Sequence, residues 1–394
     1  MMLKPLARVL GLAVLASAVL HGQGPGPSSC LLQPDKTVAV KPGAGRLVYC
    51  GLDLGSKTVK LSVLSIEKGR QPTTIRDERL CKRTLGLGTL AFDSKTNTAG
   101  AVPATAIADL VDTIREYQRI CALDGGSIVA AGATQWARDA TNVANVTARV
   151  KGDTGVTIDV LSPRQEAEYS YVAASVGARG RIVLDPGSNS FELAWQETGA
   201  TTITSVLVPY GYVRGAANDI EPAGSYASGR TAYQAKVKAQ LEAALGALNP
   251  PTSLAGLRTL VLNKKIGPEI IALGQDGAVH LSVRGLLRLP GGTWISDAPA
   301  YDALLARQST SIDPAFGVMA ATPITPVQVQ SFLSSLDAAD FGALTHEPAR
   351  SLYGQKALVV PALVDLLFRE LGATRLIMVP QEITTGHVLA KLPR

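Results

Sequence analysis

A ten-residue frame occurs twice in this chain of 394 residues, and the repeat limits the folds that can hold it. Leu52-Asp53-Leu54-Gly55-Ser56-Lys57-Thr58-Val59-Lys60-Leu61 and Leu184-Asp185-Pro186-Gly187-Ser188-Asn189-Ser190-Phe191-Glu192-Leu193 both read Leu-Asp-x-Gly-Ser-x-Ser/Thr-x-x-Leu. An apolar run enters each copy, an acidic residue and a Gly/Ser turn follow, and a second apolar run leaves it. This pattern predicts a β-hairpin with a tight, polar tip. Such a tip can direct consecutive backbone N–H groups and a Ser hydroxyl into one concavity, which suits a phosphate oxygen. Two tips from two halves of one chain predict a cleft with a tip on either side.

The length is sufficient for two domains with sizeable cores. Hydrophobic residues make up 46% and charged residues only 18%, which places the chain among folded globular proteins rather than disordered ones. Met1 to Gly22 has Lys4 and Arg8, then an apolar run from Val9 to Leu20 that ends in small residues. It reads as a secretory signal peptide, the run being short of the roughly 20 apolar residues of a membrane span. Gln23 to Gly45, rich in Gly and Pro, reads as an extended linker. The expected localisation is therefore periplasmic or secreted, with no membrane attachment after cleavage.

The formal charge is +6, and the leader carries two of those positive charges and no acid. Such mild basicity suits a polyanionic substrate but is too weak to identify one. No Lys/Arg run with interleaved aromatics is present, so nucleic acid is not an expected partner. Cys30, Cys50, Cys81 and Cys121 show no Cys-x-x-Cys spacing, and with His21, His280, His346 and His387 scattered, a zinc site is not expected. One or two disulfides would suit an oxidising compartment, without a pairing that sequence can fix, and a buried free thiol stands as the alternative for Cys50.

Between the two frames lie three strong local signals. Apolar residues at Ile107, Leu110, Val111, Ile114, Tyr117 and Cys121 recur at helical spacing, and Gly125-Gly126 ends that helix. Ser127 to Gly132 then reads as a buried strand that delivers Thr134, Arg138, Ala140 and Asn142. After a strand at Thr157 to Leu161, Ser162 with Gln165 forms a capping box and Pro163 takes the first helical position. Glu166 falls in the first turn of that helix, where the dipole favours the ionised carboxylate, the form a general base needs.

Together the two tips, the Thr-x-x-x-Arg-x-Ala-x-Asn segment at Thr134 to Asn142, the Ser162 to Glu168 segment and Pro209-Tyr210-Gly211-Tyr212-Val213-Arg214 resemble the exopolyphosphatase and guanosine pentaphosphate phosphatase (Ppx/GppA) family, within the actin-like superfamily. The resemblance implies an α/β protein of two actin-like (ribonuclease H-like) domains, mixed sheets flanked by helices, with the site in the cleft between them. The expected divisions are 1–22 signal peptide, 23–45 linker, 46–162 first domain and 163–394 second domain, the C-terminal segment able to pack back on the first. It implies Glu166 as catalytic base and Arg138 as a guanidinium reaching the phosphate. Asp53, Gly55, Ser56, Lys57, Gly187, Ser188 and Asn189 would form the phosphate loops, and Asp185 with Glu192 would hold Mg²⁺ or another divalent cation.

The chain departs from the family pattern at the tips: Pro186, Ser188 and Asn189 stiffen and enlarge the second, and Lys57 stands where the family commonly has Asn. Thr384 and Thr385 replace an expected Arg-Glu pair near the C-terminus. Leu257 to Leu262 reads as a strand and Pro268 to Leu273 as a helix, and the next phosphate loop falls either on Asn263-Lys264-Lys265 or on Gly274 to Gly277. Neither is a good match, so nucleotide binding through this loop has no support. Thr325 to Asp337 and Val359 to Leu371 read as further helices. The expected function is an exported phosphohydrolase that releases terminal phosphate from polyphosphate or a related phosphoanhydride. A non-catalytic phosphate- or polyphosphate-binding protein is the alternative, an ATP-dependent kinase of the wider superfamily a third, and a homodimer is compatible with all three.

Overall fold

The computed structural model describes residues 28–31, 35–67, 75–93, 98–174, 180–273, 323–338, 352–379 and 382–392. The expected signal peptide and the alternative loop at Gly274 to Gly277 lie outside these residues. In chain order, β1 (Ser29–Leu31), β2 (Arg46–Leu54), β3 (Thr58–Glu67) and β4 (Ile75–Thr84) are followed by α1 (Leu87–Ala91) and a two-stranded ribbon, β5 (Phe92–Asp93) and β6 (Thr98–Ala99). Then come α2 (Ala104–Leu123), β7 (Ile128–Ala133), α3 (Gln135–Asp139), α4 (Val143–Thr154), β8 (Asp159–Val160) and α5 (Pro163–Ala174). The second half runs β9 (Ile182–Pro186), β10 (Phe191–Trp195), β11 (Thr204–Val208), α6 (Tyr212–Gly215), α7 (Tyr226–Gly246), α8 (Leu254–Leu262), β12 (Glu269–Leu273), α9 (Pro326–Asp337), α10 (Leu352–Leu371), β13 (Arg375–Val379) and α11 (Ile383–Lys391).

The two large sheets repeat one plan. The first has the order β1-β4-β3-β2-β7-β8 and the second β11-β10-β9-β12-β13. In each, a three-stranded antiparallel meander is followed by two strands added parallel to its first strand, β7 and β8 beside β2, β12 and β13 beside β9. The repeated frames are the hairpins that open the two meanders. Their registers agree: Asp53 lies opposite Lys60, and Asp185 opposite Glu192.

Each sheet buries both faces. Leu52, Leu61 and Ala131 meet Leu110, Ile114 and Val146 from α2 and α4. Leu184, Leu193 and Ile270 meet Val237, Leu257 and Leu363 from α7, α8 and α10. On the opposite faces, α5 covers the second sheet through Ala167, Tyr171 and Ala174, and α11 covers the first through Val388. These two inner helices also pack on each other, with the His387 ring stacked on Tyr169 at 4.9 Å and its Nε2 at 3.0 Å from Asp159 Oδ2.

Two sequence assignments are corrected. Leu254–Leu262 is a helix, because Ser253 caps it by accepting from the Gly256 amide and its buried residues Leu254, Leu257 and Val261 follow helical spacing. Glu269–Leu273 is the central parallel strand of the second sheet, its Ile-Ile-Ala-Leu run buried on both faces as such strands require. Short apolar runs carry no periodicity that separates the two. The turn Asn263-Lys264-Lys265 therefore follows a helix rather than a strand and is no phosphate loop. Thr384 and Thr385 sit in the first turn of α11.

The stretch read as a linker also contributes structure. Its strand β1 pairs with β4, placing Cys30 opposite Cys81 in a disulfide, and Cys50 of β2 is bonded to Cys121 of α2. Buried Arg79 pairs with Asp124 at 2.9 Å and donates to the carbonyls of Asp35 and Val38, which seats residues 35–40 against the first sheet. The Cys50–Cys121 crosslink spans 71 residues. Replacing both cysteines with Ala is expected to lower stability by about 4 kcal/mol through a less restricted unfolded chain, measured as a lower urea midpoint with a slope that rises as the unfolded state expands.

Candidate active site

The two hairpin tips face each other around a cavity of about 110 Å³, room for several waters or a phosphoryl group. Gly55, Ser56, Lys57, Gly187, Ser188 and Asn189 all line it, together with Asp53, Asp185, Glu192 and Glu166. The backbone amides of Ser56, Lys57, Ser188, Asn189 and Ser190 engage no acceptor among the described residues. Their carbonyls, by contrast, are anchored. Lys57 O accepts from the Leu85 and Gly86 amides at 3.0 Å, and Ser56 O from the Gly88 amide. On the second tip, Gly187, Ser188 and Asn189 carbonyls accept from the amides of Tyr212, Val213 and Gly211 at the start of α6. Carbonyls tied outward leave amides to face the cavity, an arrangement complementary to an anion.

The Pro209 to Arg214 segment thus holds the second tip in place. A Cβ on Gly211 would lie 2.5 Å from the Gly187 and Ser188 carbonyl oxygens, so only glycine permits this approach.

Four carboxyl groups from four elements, β2, α5, β9 and β10, converge here. Asp53, Glu166 and Glu192 are buried and Asp185 is half-buried, and loss of solvent is the main force holding each above the usual carboxylate range. Asp53 is pushed up to about 6, with the opposing pull of Lys60 offset by Glu382 and Asp185. Glu166 is pushed up to about 7, against the pull of Arg138. Asp185 is raised although Ser170 Oγ donates to its Oδ2 at 2.6 Å, and Glu192 is raised well up by burial and then by Glu166 and Asp185. The helix dipole expected to keep Glu166 ionised is therefore outweighed by desolvation, and near pH 7 both its forms coexist.

These shifts have a stability consequence with a definite sign. A carboxyl whose folded value lies above its unfolded one favours the folded state fully below about pH 4.5 and loses that contribution as pH rises through the folded value. Glu192→Gln is expected to melt at an increasingly higher temperature than the unmutated protein as pH rises from 5 to 8 in chelator. Parallel melting curves at pH 5 and pH 8 check this.

Arg138 is not among the residues that line the cavity; it stands behind Glu166. Its Nη1 donates to Glu166 Oε2 at 2.8 Å and to the Leu161 carbonyl at 2.6 Å, and its Nη2 donates to Gln135 Oε1 at 2.8 Å. Glu166 is thereby fixed through one carboxylate oxygen while the other is left for the cavity. The Ser162–Gln165 capping box closes as expected, with the Ser162 amide donating to Gln165 Oε1 at 3.0 Å and the Gln165 amide to Ser162 Oγ at 3.3 Å. Burial drives the Lys57 ammonium toward its neutral form, and its side chain has no partner among the described residues.

Several lining residues went unread in the sequence: Lys60, Lys82, Tyr212, Lys356 and Glu382. Lys60 Nζ lies 3.4 Å from Asp53 Oδ2 and 2.7 Å from Glu382 Oε2. Its signal was present inside the first frame, at the position that Glu192 occupies in the second. Lys356 and Glu382 come from α10 and the start of α11, far along the chain, where no local pattern marks them.

Among the described residues, no group of three or more His, Cys, Asp or Glu side chains has the arrangement of a metal site. Asp185 and Glu192, directly opposite on β9 and β10 and both lining the cavity, still fit an ion that takes one or two carboxylates and fills its shell with water and phosphate oxygens.

Residues 87–244 match the Ppx/GppA phosphatase family model, and a second model, strictosidine synthase-like N-terminal, matches residues 246–285. Exopolyphosphatase 1 of Mycobacterium leprae is 33% identical over 147 residues, 36% of this chain and 41% of that protein. Exopolyphosphatase 1 of Mycobacterium tuberculosis is 31% identical over the same length, covering 40% of its own chain. The chain thus matches about two fifths of the length of these relatives. In fold, a Ppx/GppA enzyme of Aquifex aeolicus aligns with 88% of this chain and 99% of its own, at a TM-score of 0.59 and 15% identity. An exopolyphosphatase of Cytophaga hutchinsonii covers 86% of this chain and 96% of its own, at 0.58 and 14%. The sequence match thus runs through the stretch that joins the two tips, and the fold around them is that of two-domain, actin-like Ppx/GppA structures, so the chain is similar to the Ppx/GppA phosphatase family in both respects.

Proposed function

We propose that the protein is an exported exopolyphosphatase-like hydrolase that removes the terminal phosphoryl group of polyphosphate or a related phosphoanhydride. One observation carries this reading: a buried, pre-oriented carboxylate, Glu166, lines the same small cavity as two tips whose amides engage no acceptor among the described residues.

The amides of Ser56, Lys57, Ser188, Asn189 and Ser190, with the Lys57 side chain, would hold the non-bridging oxygens of the terminal group. Glu166 would take a proton from a water placed between it and phosphorus. The water oxygen forms the new P–O bond, the bridging P–O bond breaks, and the shortened chain leaves with the bond's electron pair. A divalent cation held at Asp185 and Glu192 would supply positive charge that offsets the charge of the phosphate oxygens. Because the oxygens meet fixed dipoles in a site poor in water, most of the effect is positioning and electrostatic.

Export is supported by cysteine usage. All four cysteines of the chain stand in two disulfides, which persist in oxidising compartments. The guanosine alarmones are cytoplasmic nucleotides, so compartment favours polyphosphate as substrate. The test is orthophosphate release from long-chain polyphosphate with Mg²⁺, lost in chelator and restored by Mg²⁺.

The second reading is a binding protein that kept the cleft without turnover. Pro186, Ser188 and Asn189 favour it, since they replace flexible residues at the tip that must embrace the transferred group. Polyphosphate binding without release would establish it.

A further inference from the structure

The two hairpins are built alike and charged differently. Asp53 and Asp185 occupy the same position of the repeated frame, and so do Lys60 and Glu192. Both pairs are directly opposite across the antiparallel ladder. In the second hairpin two carboxyls face each other across the ladder, with an acid at both frame positions. In the first, the partner of the aspartate is an ammonium group that the chain itself provides.

The Lys60 ammonium is held from two directions. Its Nζ lies 3.4 Å from Asp53 Oδ2 on β2 and 2.7 Å from Glu382 Oε2 at the start of α11. Asp53 and Glu382 are buried, and both line the same cavity as Asp185 and Glu192. The remaining Asp53 oxygen, Oδ1, is buried without a partner among the described residues and belongs to a cavity-lining side chain. Without the ammonium, Asp53 and Glu382 would form a second acidic pair open to the cavity, the mirror of Asp185 and Glu192. With it, a divalent cation at Asp53 would stand within a few ångströms of a fixed positive charge at low dielectric, where like charges repel strongly.

We propose that this cleft takes a single divalent cation, at Asp185 and Glu192, and that Lys60 is a built-in cation occupying the place of a second between Asp53 and Glu382. This rests on the hydrolase reading only for its relevance to phosphate; the cation count is a property of the cleft's own charges. Lys60 acts here by fixing charge and excluding an ion, whereas Lys57, on the tip itself, has no carboxylate partner among the described residues.

The test uses Mn²⁺ as the probe, titrated into metal-stripped full-length mature protein and followed by the loss of the free-ion paramagnetic resonance signal. One ion per chain is expected for the unmutated protein. Lys60→Met is expected to bind two, and Asp185→Asn in that background to return the count to one. Glu192→Lys, which gives the second hairpin the charges of the first, is expected to bind none. Two ions or none on the unmutated protein would overturn the proposal, as would a single ion on folded Lys60→Met. If Lys60→Met does not fold, the unmutated count and Glu192→Lys decide. A protein that binds one ion, gains a second in Lys60→Met and releases no phosphate would sink the hydrolase reading and leave this one standing.

Discussion

Glu166→Gln is expected to lower phosphate release from polyphosphate by about 10²- to 10⁴-fold, the usual contribution of a positioned general base, while polyphosphate binding is retained. The substitution keeps the shape and an oxygen for the Arg138 Nη1 bond, which is 2.8 Å long in the structure, so the cavity wall stays in place. It removes only the capacity to accept the water proton. In the unmutated protein the same group imposes a pH profile. With Glu166 pushed up to about 7, the rate should rise about tenfold per pH unit below that value and level off above it. A mutant that keeps the rate and profile would mean that another group takes the proton. Release measured from pH 5 to 9, with binding followed in parallel, separates the two.

Gly386→Ala is expected to be the most damaging small substitution away from the cleft. A Cβ at this position would stand 1.9 Å from the Tyr169 carbonyl oxygen and 2.6 Å from its carbon, both backbone atoms that no rotamer change can move aside. The inner helices α5 and α11 would have to part. Overpacking typically costs about 1–3 kcal/mol, and a clash against rigid backbone belongs at or above the top of that range. At roughly 2–4 °C per kcal/mol, the melting temperature should fall by about 10 °C. Activity should fall as well, because α5 carries Glu166 and Ser170, and α11 begins beside Glu382. An unchanged melting temperature would contradict the close packing of these helices.

The fold was legible where the sequence repeats itself or caps itself. The Leu-Asp-x-Gly-Ser frames marked two hairpins because a strand, an acid, a Gly/Ser tip and a second strand leave few other solutions. The Ser162–Gln165 box and the Ile107 to Cys121 stripe marked α5 and α2 because capping and periodicity are local physics. Leu257 to Leu262 and Glu269 to Leu273 were misread because a short apolar run is compatible with either state until its neighbours are known. In the site, the tips, Glu166, Asp185 and Glu192 could be named from motif and spacing. The disposition of Arg138 behind Glu166 could not, since it depends on the Leu161 carbonyl and the Gln135 side chain rather than on a residue pattern. The fixing of Lys60 between Asp53 and Glu382 depends on a contact spanning 322 residues, and the depth of burial that raises the four carboxyls depends on both sheets.

On the proposed function, water activated in this cleft would attack a terminal phosphoryl group. Incubating the mature protein with long-chain polyphosphate and Mg²⁺ in ¹⁸O-labelled water, then weighing the released phosphate and sizing the residual chains, tests it most directly. Orthophosphate carrying one solvent oxygen, released from chains that stay long, is the predicted result. Bound polyphosphate with no labelled orthophosphate would contradict it and leave a binding protein built on a hydrolase fold.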